Sequence, residues 1–121
     1  MLTTGVDIVE IPRIEQAIAR RGERFLRRIY TKAELALYRD RVSELAARFA
    51  GKEATMKALG TGVRGIGWRE IEIIPNRRGK PIVMLYGRAK ERAKLLGIQE
   101  IAISLSHSRK YAVASVVGAG S

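Results

Sequence analysis

The chain has 121 residues, 46% of them hydrophobic, and a formal net charge of +11 from 23 Lys and Arg against 12 Asp and Glu. That length and composition predict one folded domain, residues 1–121, and exclude wholesale disorder. The absence of cysteine excludes disulfides, thiolate metal sites and a Cys nucleophile, and fits a cytoplasmic protein.

Residues 3–9, TTGVDIV, alternate as a strand, with Gly5, Asp7 and Val9 on one face and Thr4, Val6 and Ile8 on the other. There is no basic, apolar leader here and no run of about 18 apolar residues, so neither a signal peptide nor membrane insertion is expected. Pro12 suits the first turn of a helix. Ile14, Ala17, Ile18, Phe25, Leu26 and Ile29 then recur at helical spacing, with a break near Gly22. Thr31 and Glu34 form a capping box that opens a short helix from Lys32 to about Asp40. Ser43 is placed to cap a longer helix running to about Leu59, and Gly60 supplies its stop.

Gly60 to Gly67, GTGVRGIG, is a glycine-rich loop. It follows a helix and lacks GK[ST], so it is neither a Walker loop nor a dinucleotide fingerprint. Residues 68–74 alternate as a strand, residues 75–80 turn, and residues 81–86 return, which predicts a hairpin. Gly87 to Leu96 is a basic helix closed by Gly97. Strands follow at 100–106 and 110–117, joined through His107, Ser108 and Arg109, and the small-residue tail GAGS is expected to fray. The class is α+β, with helices mainly in the N-terminal half packed on an antiparallel sheet formed largely by the C-terminal half.

Four features carry chemistry. Glu53 and Lys57 lie one turn apart at the edge of the apolar stripe of the long helix. There they form either an ordinary surface pair or a functional one. Asp7 interrupts an apolar strand and either meets solvent, caps the next helix or pairs with a partner. With Glu53 it would give two carboxylates from different elements, which suits Mg²⁺ completed by substrate phosphates. His107, the only histidine, lies among Ser104, Ser106 and Ser108 without a GxSxG elbow, so a hydrolase triad gains no support. It is either structural or suited to phosphate and proton transfer. Arginines dispersed through folded segments predict a positive face for an anionic partner: a nucleic acid, a membrane, a phosphorylated small molecule or an acidic protein. No nucleic-acid-binding motif is present, and seven aromatics offer little base stacking, so no nucleic-acid partner is expected.

Taken together, GVDIVEIPRIE at 5–15, ARFAGKEATMKALGTG at 47–62 and ISLSHSRKYAVASVV at 103–117 resemble the short bacterial holo-acyl-carrier-protein synthases of the 4′-phosphopantetheinyl transferase superfamily. The central stretch carries the (F/W)-x-x-K-E-(A/S)-x-x-K signature through Phe49, Lys52, Glu53, Ala54 and Lys57. Gly51 stands where the family often has Ala. The resemblance implies transfer of 4′-phosphopantetheine from coenzyme A to a serine of an acidic apo-acyl carrier protein, with adenosine 3′,5′-bisphosphate released, in support of fatty acid biosynthesis. It implies Asp7 and Glu53 as ligands of Mg²⁺, with Mn²⁺ as the alternative, and Asp7, Glu53 and Lys57 as catalytic residues. Lys57, Arg48, Ser106, His107, Lys80, Pro81 and Gly60 would contact coenzyme A or its phosphates. Arg13, with Arg20, Arg21 and Arg24, would meet the carrier protein. A homotrimer with active sites at subunit interfaces is implied as well.

Overall fold

The computed structural model describes residues 1–121. Strand β1, Leu2–Glu10, leads into helix α1, Ile11–Arg21, with Pro12 in its first turn. Helices α2, Glu23–Ile29, and α3, Lys32–Tyr38, follow. The expected capping box opens α3: Glu34 N donates to Thr31 Oγ1 at 3.2 Å, and Thr31 N donates to Glu34 Oε1 at 2.8 Å. Helix α4, Val42–Leu59, is the longest element. It starts after Arg41 with no side-chain cap, so Ser43 lies inside its first turn and does not cap it. Gly60 ends it in the left-handed conformation at φ 71°, which a side chain would disfavour.

Trp68–Glu70 form a 3₁₀ turn where alternation predicts strand, and strand β2 begins only at Ile71, running to Pro75. Two sets of bonds hold the turn: the carbonyls of Trp68 and Ile71 accept from the buried Lys52 ammonium, and the Glu70 carboxylate accepts from Gly67 N at 3.0 Å. Strand β3, Pro81–Leu85, closes the predicted hairpin. Helix α5, Gly87–Leu96, and strands β4, Glu100–His107, and β5, Tyr111–Ala119, complete the chain. The C-terminal tail is tied down, contrary to expectation. Met1 N donates to Gly120 O at 2.8 Å, and Gly120 N donates to Met1 O at 3.1 Å.

Strands β1, β5 and β4 form an antiparallel sheet in that order, and β2 with β3 forms a second. The sheet thus takes its first strand from the N-terminus, paired along its whole length with the last. Helix α4 crosses the inner face of the three-stranded sheet. It is buried nearly all round, through Leu45, Ala46, Ala50, Ala54, Met56 and Leu59 among others. Its alanines keep it thin enough to lie between the sheet on one side and α1–α3 on the other. No helix is long and apolar enough to cross a membrane.

Candidate active site

The site begins with a glycine. On β1, Gly5, Asp7 and Val9 face α4, as the alternation predicts. A Cβ at Gly5 would lie 1.9 Å from the carbonyl oxygen of Ala54, so only glycine lets strand and helix approach this closely. That approach places Asp7, two residues on, beside Glu53 and Lys57. The Lys57 ammonium donates to Val6 O at 2.9 Å and reaches Asp7 Oδ1 at 3.4 Å. Its partner is therefore β1 and not Glu53, the neighbour on its own helix. The Glu53 carboxyl is pushed above the usual carboxylate range, first by burial and then by the Asp7 charge, with Lys57 opposing. Two carboxylates face each other here, and one cation only partly compensates them.

These carboxylates open into a hollow of about 580 Å³. Phe25 and Phe49 give it an apolar floor, and Arg13 and Arg20 stand at its α1 wall. A second hollow of about 470 Å³ shares Arg20 and Phe25 with the first and is otherwise lined by Arg21, Arg24 and Arg28. The four arginines expected at a carrier surface thus lie along one flank of the carboxylates. Arg28 joins them; it follows Arg24 by one helical turn, a spacing visible in the sequence.

Other expected contacts lie elsewhere. Arg48, expected at phosphate, is buried and engaged within the chain. It donates to Ile73 O at 3.2 Å and Tyr38 Oη at 2.9 Å, pairs with Glu44 at 2.6 Å, and lies over the Tyr38 ring. It bonds α4 to β2 and α3 and leaves no face for a phosphate. Ser106 and His107 do not share a pocket. Ser106 is in register with Val113 and Ile8 on the outer face of the sheet, and His107 with Ala112 and Val9 on the inner face. His107 is exposed, with Nδ1 3.4 Å from Ser108 O. Lys80 and Pro81 sit at the hairpin turn and do not line the hollow. Gly60 caps α4, one turn beyond Lys57.

Sequence reasoning leaves two features of the surroundings unassigned. One is the buried ion pair of Lys52 and Glu34, both 0% exposed. The other is an aromatic stack, with Trp68 on Phe49 at 4.8 Å and Phe49 on Phe25 at 6.5 Å.

Residues 3–116 match the sequence model of the 4′-phosphopantetheinyl transferase superfamily. A holo-[acyl-carrier-protein] synthase of Herpetosiphon aurantiacus is 52% identical over 99% of this chain and 100% of its own length. One from Dehalococcoides mccartyi is 53% identical, covering 97% and 98%. The crystal structure of Helicobacter pylori holo-[acyl-carrier-protein] synthase in complex with coenzyme A matches with a TM-score of 0.87. It is 35% identical, with 96% of this chain and 99% of that chain covered.

Proposed function

The chain belongs to the 4′-phosphopantetheinyl transferase superfamily, and we propose on that premise that it moves the 4′-phosphopantetheine group of coenzyme A onto a serine of an acidic apo-acyl carrier protein. The product is the holo carrier with adenosine 3′,5′-bisphosphate as leaving group, a step that supplies fatty acid biosynthesis in the cytoplasm. The observation that carries the reading is that Asp7 and Glu53 line one hollow together with Arg13 and Arg20, with the Lys57 ammonium 3.4 Å from Asp7 beside it.

The donor set fits a hard divalent ion. Two carboxylate oxygens come from different elements, and their mutual repulsion a cation would relieve. No third Asp, Glu or His joins them, so substrate oxygens and water would complete the shell of a bound ion. Asp7 and Glu53 would hold Mg²⁺, or Mn²⁺ in its place. When bound, it supplies charge neutralisation at the pyrophosphate and fixes the phosphorus for in-line attack.

In the transfer, a bond forms from the serine Oγ to the β-phosphorus as the bond from that phosphorus to the bridging oxygen breaks. The serine proton passes to Glu53, directly or through a water, because Glu53 is the carboxylate that Lys57 leaves unpaired. Lys57 holds an ammonium on an exposed stem beside Asp7, where it would meet a pyrophosphate held by the two carboxylates. There it stabilises negative charge on the leaving phosphate and can protonate it. Arg13, Arg20, Arg21 and Arg24 draw in the acidic carrier, and the basic chain as a whole favours both anionic substrates.

A homotrimer with interfacial sites is part of the proposal. The outer face of the β1–β5–β4 sheet exposes Leu2, Val6, Ile8 and Val117, at 75, 59, 63 and 38%. Ser106 lies on that same face, where it would serve a neighbouring subunit's coenzyme A. The test is the intact mass of an apo carrier protein after incubation with this chain, coenzyme A and Mg²⁺. A gain of one phosphopantetheine, abolished by EDTA, is expected; an unchanged mass overturns the reading. Native mass of the chain alone tests the trimer.

A further inference from the structure

Lys52 precedes Glu53 in the signature, yet it takes no part in the chemistry above. Its side chain does not line the hollow and is fully buried, as is that of Glu34. Lys52 Nζ lies 2.7 Å from Glu34 Oε1 and donates to Ile71 O at 2.7 Å and to Trp68 O at 3.1 Å. An ammonium has three protons, and three acceptors surround this one. Glu34 is as fully engaged, accepting from Thr31 N at 2.8 Å and from Ile73 N at 2.7 Å. These bonds tie α4 to the start of α3 and to the backbone of residues 68–73. Burial pulls the Lys52 pKa below its ordinary value, with Glu34 as the strongest opposing influence.

Stability is a weak reason for such a pair, because desolvation of two charges offsets their attraction. Geometry is a better one. Lys52 grips the carbonyl of Trp68 itself, inside the 3₁₀ turn that displaces the expected strand. The Trp68 indole stacks on Phe49 with 23° between planes, and Phe49 stacks on Phe25 with 24°. Phe49 and Phe25 are the apolar floor beside Glu53. Phe49 is also one helical turn from Glu53, so floor and carboxylate stand on the same face of α4.

We propose that Lys52 and Glu34 are positioning residues. By fixing the Trp68 turn they set the Phe49–Phe25 floor on which the carrier protein seats its apolar side chains next to Glu53. The inference rests on the transfer reading above and extends it to residues that touch no substrate.

Two variants test it. Lys52→Met with Glu34→Met removes both charges together at similar volume and frees the Trp68 carbonyl. Trp68→Leu keeps the ion pair and removes the stack. Trp68 is the only tryptophan, so the emission of the double variant reports on that ring alone. Its emission should shift to the red and become more open to acrylamide quenching, with helix content unchanged by circular dichroism. In both variants the KM for the carrier should rise at least about fivefold while the KM for coenzyme A stays within about twofold, a split that loss of folded protein alone would not produce. Parent KM for the carrier in Trp68→Leu overturns the proposal, as does a folded double variant with parent emission and parent KM. If the double variant does not fold, Trp68→Leu decides. A parent protein that leaves the apo carrier unmodified sinks the transfer reading instead, and the emission of the double variant then decides whether the pair positions Trp68.

Discussion

Gly5→Ala should be the most damaging single-methyl change near the site. The new Cβ would lie 1.9 Å from Ala54 O, 2.9 Å from Ala54 C and 3.0 Å from Ala58 N, all main-chain atoms of α4. No rotamer relieves such a clash. Restoring a carbon–oxygen contact of about 3.3 Å moves β1 off α4 by roughly 1.4 Å. Overpacking costs about 1–3 kcal/mol, and a main-chain obstacle puts this case at the upper end. The move also stretches the bond from Thr3 Oγ1 to Ala58 O, now 2.7 Å, and that from Lys57 Nζ to Val6 O, now 2.9 Å. With these weakened, the total is about 3–4 kcal/mol, or about 10–15 °C in melting temperature for a domain of this size. Among molecules that remain folded, a displacement of about 1 Å between Asp7 and Glu53 should lower kcat about a hundredfold. Gly51→Ala is the matched control. Its Cβ would meet Ile73 Cδ1 at 2.6 Å and Ile103 Cδ1 at 3.1 Å, the mobile ends of side chains. Helix propensity returns about 0.8–1.0 kcal/mol there, so the net change should stay within about 1 kcal/mol. Thermal melts by circular dichroism, with carrier modification followed by mass, measure both. A Gly5→Ala protein that melts within about 2 °C of the parent and turns over normally would refute the reasoning.

Lys57→Ala should lower turnover at least about tenfold, equal to about 1.4 kcal/mol of transition-state stabilisation. Its melting temperature should barely move, since exposed pairs contribute only about 0–1 kcal/mol; the reverse pattern would make Lys57 a structural residue. Glu53→Gln should abolish transfer, yet melt higher than the parent at pH 7 in EDTA. The folded pKa of Glu53 is raised, so its contribution is full below the unfolded value of about 4.3 and is lost as pH rises through the folded value. The gain from Glu53→Gln should therefore shrink as pH falls toward about 4, and a pH-independent gain would contradict the burial and Asp7 origin of the shift. Arg13→Glu should raise the carrier KM by the equivalent of about 1–3 kcal/mol, weaken its salt dependence and leave coenzyme A affinity within about twofold; a coenzyme A defect with unchanged carrier KM would move the docking face elsewhere.

The parts of this fold that can be read from sequence are those that local chemistry decides. Thr31 and Glu34 cap a helix through atoms three residues apart, and Gly60 stops α4 through its own φ. Asp7 and Glu53 stand out because each places a carboxylate beside apolar neighbours, a pattern that costs energy unless something answers it. Partners chosen across the chain are not legible. Lys57 looks like the partner of Glu53 because they are one turn apart, but β1 brings Val6 and Asp7 to it from 50 residues away. Arg48 looks available for phosphate until Tyr38, Glu44 and Ile73 surround it. Residues 68–70 keep the alternation of a strand, but the Lys52 ammonium on the Trp68 carbonyl and the Glu70 carboxylate on Gly67 N and Ala89 N hold them as a 3₁₀ segment. The criterion that singles out Asp7 applies equally to Lys52, a charge after Phe49, Ala50 and Gly51. It goes unnoticed because Glu53 beside it offers a ready explanation for a polar interruption. Neighbours on a helix point about 100° apart, so Lys52 and Glu53 serve different sides of α4. One donates to the carbonyls of Trp68 and Ile71, and the other lines the hollow.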